Sequence, residues 1–152
     1  MLAYFLDSSA LVRFYVQESG SNWVRSLTDL DENLIYVVSL AKVETISALT
    51  RRLRRGDITE AEFDQACNEA DADFVNQFRV VDLTNAIIED AAMLARKHGL
   101  RAYDAVQLAA AQDTGKIVLK IESTQLTLVS ADLELNTAAV SKGFRLEDPN
   151  NR

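Results

Sequence analysis

The chain has a single cysteine, Cys67, a single proline, Pro149, and a single histidine, His98, among 152 residues. One cysteine excludes an internal disulfide framework and fits a reducing cytoplasm. One histidine makes no zinc site, and neither residue is well placed to act as a nucleophile. Pro149 falls at the C-terminal end, so no proline-rich linker marks a domain boundary, and no repeat or low-complexity tract interrupts the chain. The glycines do not assemble into a phosphate-cradling loop. No apolar run approaches the roughly 18 residues of a membrane span. The first residues lack a basic segment leading into an apolar stretch of signal length, so export is not expected. Positive charge is also scarce: 16 Lys and Arg face 23 Asp and Glu, a net charge of −7. Non-specific binding to nucleic acid relies on Lys and Arg, so this balance argues against it.

What is present is a globular composition. Apolar residues make up 48% and charged residues 26%, which excludes a disordered chain. The length suits one domain with a substantial core, read here as residues 1–148 with a polar tail at 149–152. Leu2 to Leu6 is almost wholly apolar, as a strand buried on both faces should be. Ser8 or Ser9 is placed to cap a helix carrying Leu11, Val12 and Tyr15. Ser19-Gly20-Ser21 breaks that helix and opens a second through Trp23, Val24 and Leu27. Leu34 to Val38 is a second strand, after which Ser39 is expected to cap a helix. Leu40, Val43, Ile46, Leu49 and Leu53 are assigned to its apolar face, and Gly56 to its end.

Thr59 and Glu62 form a capping-box pattern for a helix over 60–77. Arg79 to Leu83 reads as a third strand, and Thr84 as the cap of a helix ending at His98-Gly99. An alanine-rich helix follows over 102–113, its small residues permitting close approach to a sheet. Residues 116–125 either extend that helix or form a side strand. Leu126 to Ser130 is the fourth main strand, then a helix to about Lys142 and a short strand over Gly143 to Leu146. Strands alternating with helices imply an α/β fold with a parallel sheet covered on both faces.

In such a fold, ligands bind beyond the carboxyl ends of the strands. Asp7 ends the first strand. Asp132 follows the fourth strand through Ser130 and Ala131. Glu44 and Asp104 lie in the first turns of two helices. Each has an ordinary structural role open to it, as a helix cap, a surface residue or a complement to a helix dipole. Converging together, they would repel one another unless a cation entered. Hard oxygen ligands in this number suit Mg²⁺ or Mn²⁺.

Four segments bear a resemblance. Phe5-Leu6-Asp7-Ser8-Ser9-Ala10-Leu11 looks like the opening of a PIN domain, and Val43-Glu44 like its second acidic position. Leu100 through Ala109, with Tyr103-Asp104-Ala105 at its centre, resembles the third motif. Leu128-Val129-Ser130-Ala131-Asp132 with Leu135 resembles the fourth. The size is similar to that of the VapC-type toxins of toxin–antitoxin pairs. The resemblance implies a three-layer α/β/α fold and a Mg²⁺- or Mn²⁺-dependent ribonuclease. It implies Asp7 and Asp104 as leading ligands, with Glu44 completing the site directly or through water. Asp132 would ligate a second ion or hold a coordinated water, and Ser8, Ser9 and Ser130 would orient the carboxylates. Metal-activated water would attack, leaving a 5′-phosphate and a 3′-hydroxyl. The implied partners are RNA, a cognate antitoxin and a second copy of the chain in a homodimer. Residues 116–125 lengthen the path between the third and fourth motifs relative to the most compact members, which puts the register of Asp132 at issue.

Arg51, Arg52, Arg54 and Arg55 form the densest basic cluster, either an RNA phosphate contact or a complement to a helix C-terminus. Arg13 either faces substrate or pairs with an acid. Trp23, Phe14 and Tyr15 are either a partner patch or core. An endoribonuclease predicts metal-dependent cleavage lost on Asp7→Asn or Asp104→Asn. A non-catalytic binding or scaffold module of the same fold predicts partner binding indifferent to those changes. Aspartyl-phosphate chemistry is disfavoured: Ser9 stands where such a phosphatase needs a second Asp, and Asp7 is not paired as in a receiver.

Overall fold

The computed structural model describes residues 1–152. Five strands alternate with seven helices. In chain order these are β1 Ala3–Leu6, α1 Ser8–Tyr15, α2 Ser21–Ser26, β2 Leu34–Val38, α3 Leu40–Arg55 and α4 Glu60–Asn76. They continue as β3 Arg79–Val81, α5 Asn85–His98, α6 Ala102–Glu122, β4 Leu126–Val129, α7 Leu133–Ser141 and β5 Arg145–Glu147. The strands form one sheet ordered β3-β2-β1-β4-β5, and every adjacent pair is parallel. Parallel neighbours require long crossovers, and helices supply all of them. Helices α1 to α4 pack on one another, as do α5, α6 and α7, and both groups contact the sheet. This is the α/β/α layering expected, with a sheet that is parallel throughout.

The core follows from the apolar strands. Phe5, Leu6, Leu128 and Val129 are fully buried at the centre of the sheet, each such side chain contributing roughly 1.5–3 kcal/mol by leaving water. Ala105, Ala109, Ala110 and Ala111 are buried on α6, and their small volume lets the helix axis approach the strands. Trp23 and Phe14 pack against the main core.

Local signals were mostly decisive. The Thr59–Glu62 capping box forms in both directions, Thr84 caps α5, and α3 stops at Gly56. The cap of α1 is Asp7 rather than Ser8 or Ser9, because Asp7 still has extended backbone (φ −78°, ψ 174°) while Ser8 is already helical. Ser39 makes no capping bond, its backbone being helical too (φ −55°, ψ −36°). β3 stops at Val81: its partner β2 ends at Val38, which pairs with Val81, leaving nothing opposite Asp82 and Leu83. Residues 116–122 continue α6, with Val118 extending the buried stripe of Ala111 and Thr114. On α3 the buried ridge is Ala41, Thr45 and Leu49, and Val43 points outward, 65% exposed. That rotation brings Glu44 to the end of the sheet.

Residues 149–152, read as a polar tail, close with a 3-10 turn over Pro149–Asn151 in which Pro149 is buried. It rests against α2. Gly20 makes this possible: its φ is +78°, and a Cβ there would lie 2.1 Å from the Pro149 carbonyl oxygen. Gly115 is the opposite case. It sits inside α6 in helical backbone, and a Cβ would meet only Leu126, at an ordinary 3.7 Å. Chemical denaturation should therefore separate the two glycines. Gly115→Ala is expected to stabilise by up to about 1 kcal/mol. Gly20→Ala is expected to destabilise by about 2 kcal/mol or more. Equal effects would contradict the placement of the C-terminal turn.

Candidate metal centre

The sheet order reverses direction between β1 and β4, the switch point of this topology. Their carboxyl ends are in register, Leu6 opposite Val129, and the Asp7 N–H donates to the Val129 carbonyl at 3.1 Å. Asp7 emerges there only 2% exposed. Its Oδ1 accepts from the Ser9 hydroxyl at 2.6 Å and the Ala10 N–H at 2.9 Å, and its Oδ2 from the Ser130 hydroxyl at 2.7 Å. Both hydroxyls also accept from the β4–α7 connection: Ser9 Oγ from the Ala131 N–H at 2.9 Å, and Ser130 Oγ from the Asp132 N–H at 3.1 Å. The serines thus tie the ends of two strands around one carboxylate.

The other acids arrive from separate elements. Glu44, on the first turns of α3, accepts from the Ser8 hydroxyl at Oε2 and from Gln107 Nε2 at Oε1, each at 2.9 Å. Asp104, in the first turn of α6, accepts no hydrogen bond from the protein and is half-buried. Asp132 is the N-cap of α7, its Oδ1 accepting from the Leu135 N–H at 2.9 Å. The long path after the third motif is taken up by α6, which runs to Glu122, and Asp132 follows β4 at the start of α7.

The electrostatics couple all four. Burial pushes the Asp7 carboxyl up to about 6, with the Glu44 charge adding to it and the hydrogen bonds from Ser9, Ala10 and Ser130 opposing. Burial likewise pushes Asp104 up to about 6, reinforced by Asp132 and Asp7 and countered by Arg101. Glu44 is raised by burial and by Asp104, against the pull of Ser8 and Gln107. None of the four takes part in an ion pair with Lys or Arg. Arg101 offsets only part of the repulsion, at Asp104, and from beyond ion-pair distance.

Two contributors escaped sequence reasoning. Gln107 is 1% exposed, holds Glu44, and leaves its own Oε1 buried without a partner. Its signal was a polar residue inside the apolar run Ala105–Ala111, which a buried amide can occupy only with a partner. Asn136 anchors the site from behind, its Nδ2 donating to the Ser130 carbonyl at 2.9 Å. One turn after Asp132, it was legible only by helical spacing.

The arginines divide. Arg13 is buried, and its guanidinium donates to the carbonyls of Ser9 at 2.7 Å and Ser19 at 2.8 Å and to Asn150 Oδ1 at 2.8 Å. It is a structural clamp between α1 and the C-terminal turn, with Glu18 beside it at 3.7 Å. Arg52 pairs with Glu18, and Arg55 with Asp57. Arg51 and Arg54 have no acidic partner. Arg51, Tyr103, Ser8 and Glu44 line a cleft of about 350 Å³, so Glu44 opens onto a surface with one free cation and one exposed ring.

Comparison with known proteins gives the family and the fold. The PIN domain model matches residues 4–140. The chain is 34% identical over 145 residues to Ribonuclease VapC49 of Mycobacterium tuberculosis, covering 95% of this chain and 94% of that one. A crystal structure of a Pyrobaculum aerophilum protein, PAE2754, superposes with a TM-score of 0.68 at 21% identity, over 99% of this chain and 91% of that one. A toxin-antitoxin complex from Klebsiella pneumoniae contains a chain of the same fold, with a TM-score of 0.55 at 15% identity, over 85% and 86% of the two chains. The chain belongs to the PIN domain family.

The donor set fits a hard divalent cation. All candidate ligands are carboxylate oxygens; burial first, and then neighbouring acids, raise the pKa values of Asp7, Glu44 and Asp104, and Arg101 offsets this only in part, at Asp104. No three acidic side chains stand ready-made around one point. Mg²⁺ usually takes only one or two carboxylates and keeps several waters, so it does not require such a triad. The coupling also sets a pH dependence. Unfolded carboxyls titrate near about 4, whereas Asp7 and Asp104 titrate near 6 in the fold. Their contribution to stability is fully present below the unfolded value and is lost as pH rises through the folded one. With chelator, the melting temperature should fall between about pH 5 and about pH 7.5. Millimolar Mg²⁺ should recover the loss at the upper end. A flat profile, or one indifferent to Mg²⁺, would contradict the coupling.

Proposed function

We propose that the chain is a divalent-metal-dependent endoribonuclease, the toxin of a type II toxin–antitoxin pair, that hydrolyses RNA phosphodiesters with metal-activated water. The observation that carries this reading is the buried Asp7 carboxylate at the sheet's switch point, coupled electrostatically to Glu44 and Asp104, with Asp132 acting on Asp104, and none of the four in an ion pair with Lys or Arg. The 34% identity to a protein named a ribonuclease supports it, as does the recurrence of the fold in a toxin-antitoxin complex. RNA, a cognate antitoxin and a second copy of the chain are its partners. No helix is long and apolar enough to cross a membrane, and the unpaired Cys67 suits a cytoplasmic setting.

Asp7 and Asp104 would hold the cation, with Glu44 and Asp132 acting directly or through water. A bound Mg²⁺ or Mn²⁺ would supply an activated water and offset charge on the phosphate. The protein's own part is orientation. Ser9 and Ser130 fix the Asp7 carboxylate from opposite oxygens. Ser8 and Gln107 fix both oxygens of Glu44, and Asn136 holds the Ser130 backbone. Arg51 and Arg54, free of acidic partners, offer phosphate contacts at the mouth of the cleft.

Purified protein incubated with transfer and ribosomal RNA should cleave in Mg²⁺ or Mn²⁺ and stop on addition of chelator. Asp104→Asn should lower the rate by at least about a hundredfold. Ser130→Ala and Gln107→Leu, which remove a contact to a carboxylate and leave all four carboxylates in place, should cost roughly ten- to a hundredfold. Cleavage that persists in chelator, or in Asp104→Asn, would refute the reading.

A further inference from the structure

At the other end of the sheet the surface charge inverts. The carboxyl-terminal part of α5, the middle of α6 and the end of α7 enclose two adjoining grooves of about 640 Å³ and about 310 Å³. Gln112, Lys116 and Lys142 line both. Arg96 and Lys97 line the larger, and Asp90 is the one acid among the lining residues of either. All four cations are exposed, and none takes part in an ion pair. In a chain of net charge −7, four uncompensated cations around one depression are not a sample of the average surface. Complementing a helix C-terminus accounts for Arg96, Lys97 and Lys142 singly. It does not account for Lys116, which lies well inside α6. Gly115 leaves the smaller groove open beside Lys116 although helix propensity and packing would both accept alanine there.

We propose that these grooves form a second RNA-binding surface, which holds phosphates of a folded RNA away from the bond being cut. Charge complementarity selects the occupant. The rim carries fixed positive charge on flexible side chains, and a phosphate backbone supplies regularly spaced negative charge without demanding a base sequence. The identification of that occupant as substrate rests on the ribonuclease reading above. Lys116 lies about 18 Å along α6 from Asp104, at a rise of ~1.5 Å per residue. The surface therefore lies beyond a short strand seated at the carboxylates and within reach of an RNA that has tertiary bulk. It sets which RNAs are retained, while the acidic centre sets what is done to them.

The triple variant Lys97→Gln/Lys116→Gln/Lys142→Gln tests this directly. Binding is measured by fluorescence anisotropy in chelator, so that no cleavage occurs and the result does not depend on the enzyme being active. The probes are a transfer RNA and a single-stranded hexanucleotide. Affinity for the transfer RNA should fall about tenfold or more, and its logarithmic salt dependence should become shallower by about two. Affinity for the hexanucleotide, and its cleavage in Mg²⁺, should be unchanged. Unaltered transfer RNA binding would overturn the proposal, as would an equal loss for both probes. A shift in sedimentation of the variant without RNA would also overturn it, assigning the grooves to contact between copies of the chain. Failure of wild type to cleave either RNA would overturn the ribonuclease reading, while the binding comparison would still decide whether the surface exists.

Discussion

The buried carboxylate of Asp7 is the constraint around which the rest is arranged. A charge at the end of a central strand, 2% exposed, is costly unless hydrogen-bonded and compensated. The chain answers the first requirement with three donors, from Ser9, Ala10 and Ser130. The same contacts build the local fold: Asp7 caps α1, Ser130 joins the end of β4 to the end of β1, and Ser9 joins α1 to the β4–α7 connection. The second requirement is left unmet by any Lys or Arg. An acid fixed so firmly and left without a counter-charge from the protein supports the proposal of a cation from outside.

Net charge alone would have pointed away from RNA. The resolution lies in distribution. Acids gather at the carboxyl ends of the strands, where a divalent ion would offset them. Cations gather at the end of α3 and, on the far side, around Lys116 and Lys142. Arg13 and Arg52 show that not every basic residue near the site serves a ligand. Arg13 is consumed in holding the C-terminal turn to α1, and Arg52 is paired with Glu18.

The alternation of helix and strand, the capping box at Thr59 and the strand-end position of Asp7 were legible from local chemistry. So were the places of Asp7 and Asp132 just beyond strand ends and of Glu44 and Asp104 in the first turns of helices, because parallel topology delivers strand ends and helix starts to the same edge. What was hidden depended on helix rotation and on partners distant in sequence. Apolar spacing assigned Val43 to the buried face of α3, whereas the ridge Ala41–Thr45–Leu49 turns it outward and turns Glu44 toward Gln107. The role of Gln107 depends on an acceptor 63 residues away. The fate of residues 116–122 depended on whether Val118 would find a buried stripe to extend. Arg13 pairs with an acid, Glu18, as one of its two readings had it, but its clamp on the C-terminal turn was hidden because its acceptor Asn150 lies 137 residues further along the chain.

The most direct test of the account is where a divalent ion binds. Crystals soaked in Mn²⁺ and measured at the metal's absorption edge should show an anomalous peak within coordination reach of Asp7 and Asp104, absent in Asp104→Asn. A peak elsewhere on the molecule, with the Asp7 and Asp104 carboxylates unoccupied and their hydrogen bonds unchanged, would contradict it.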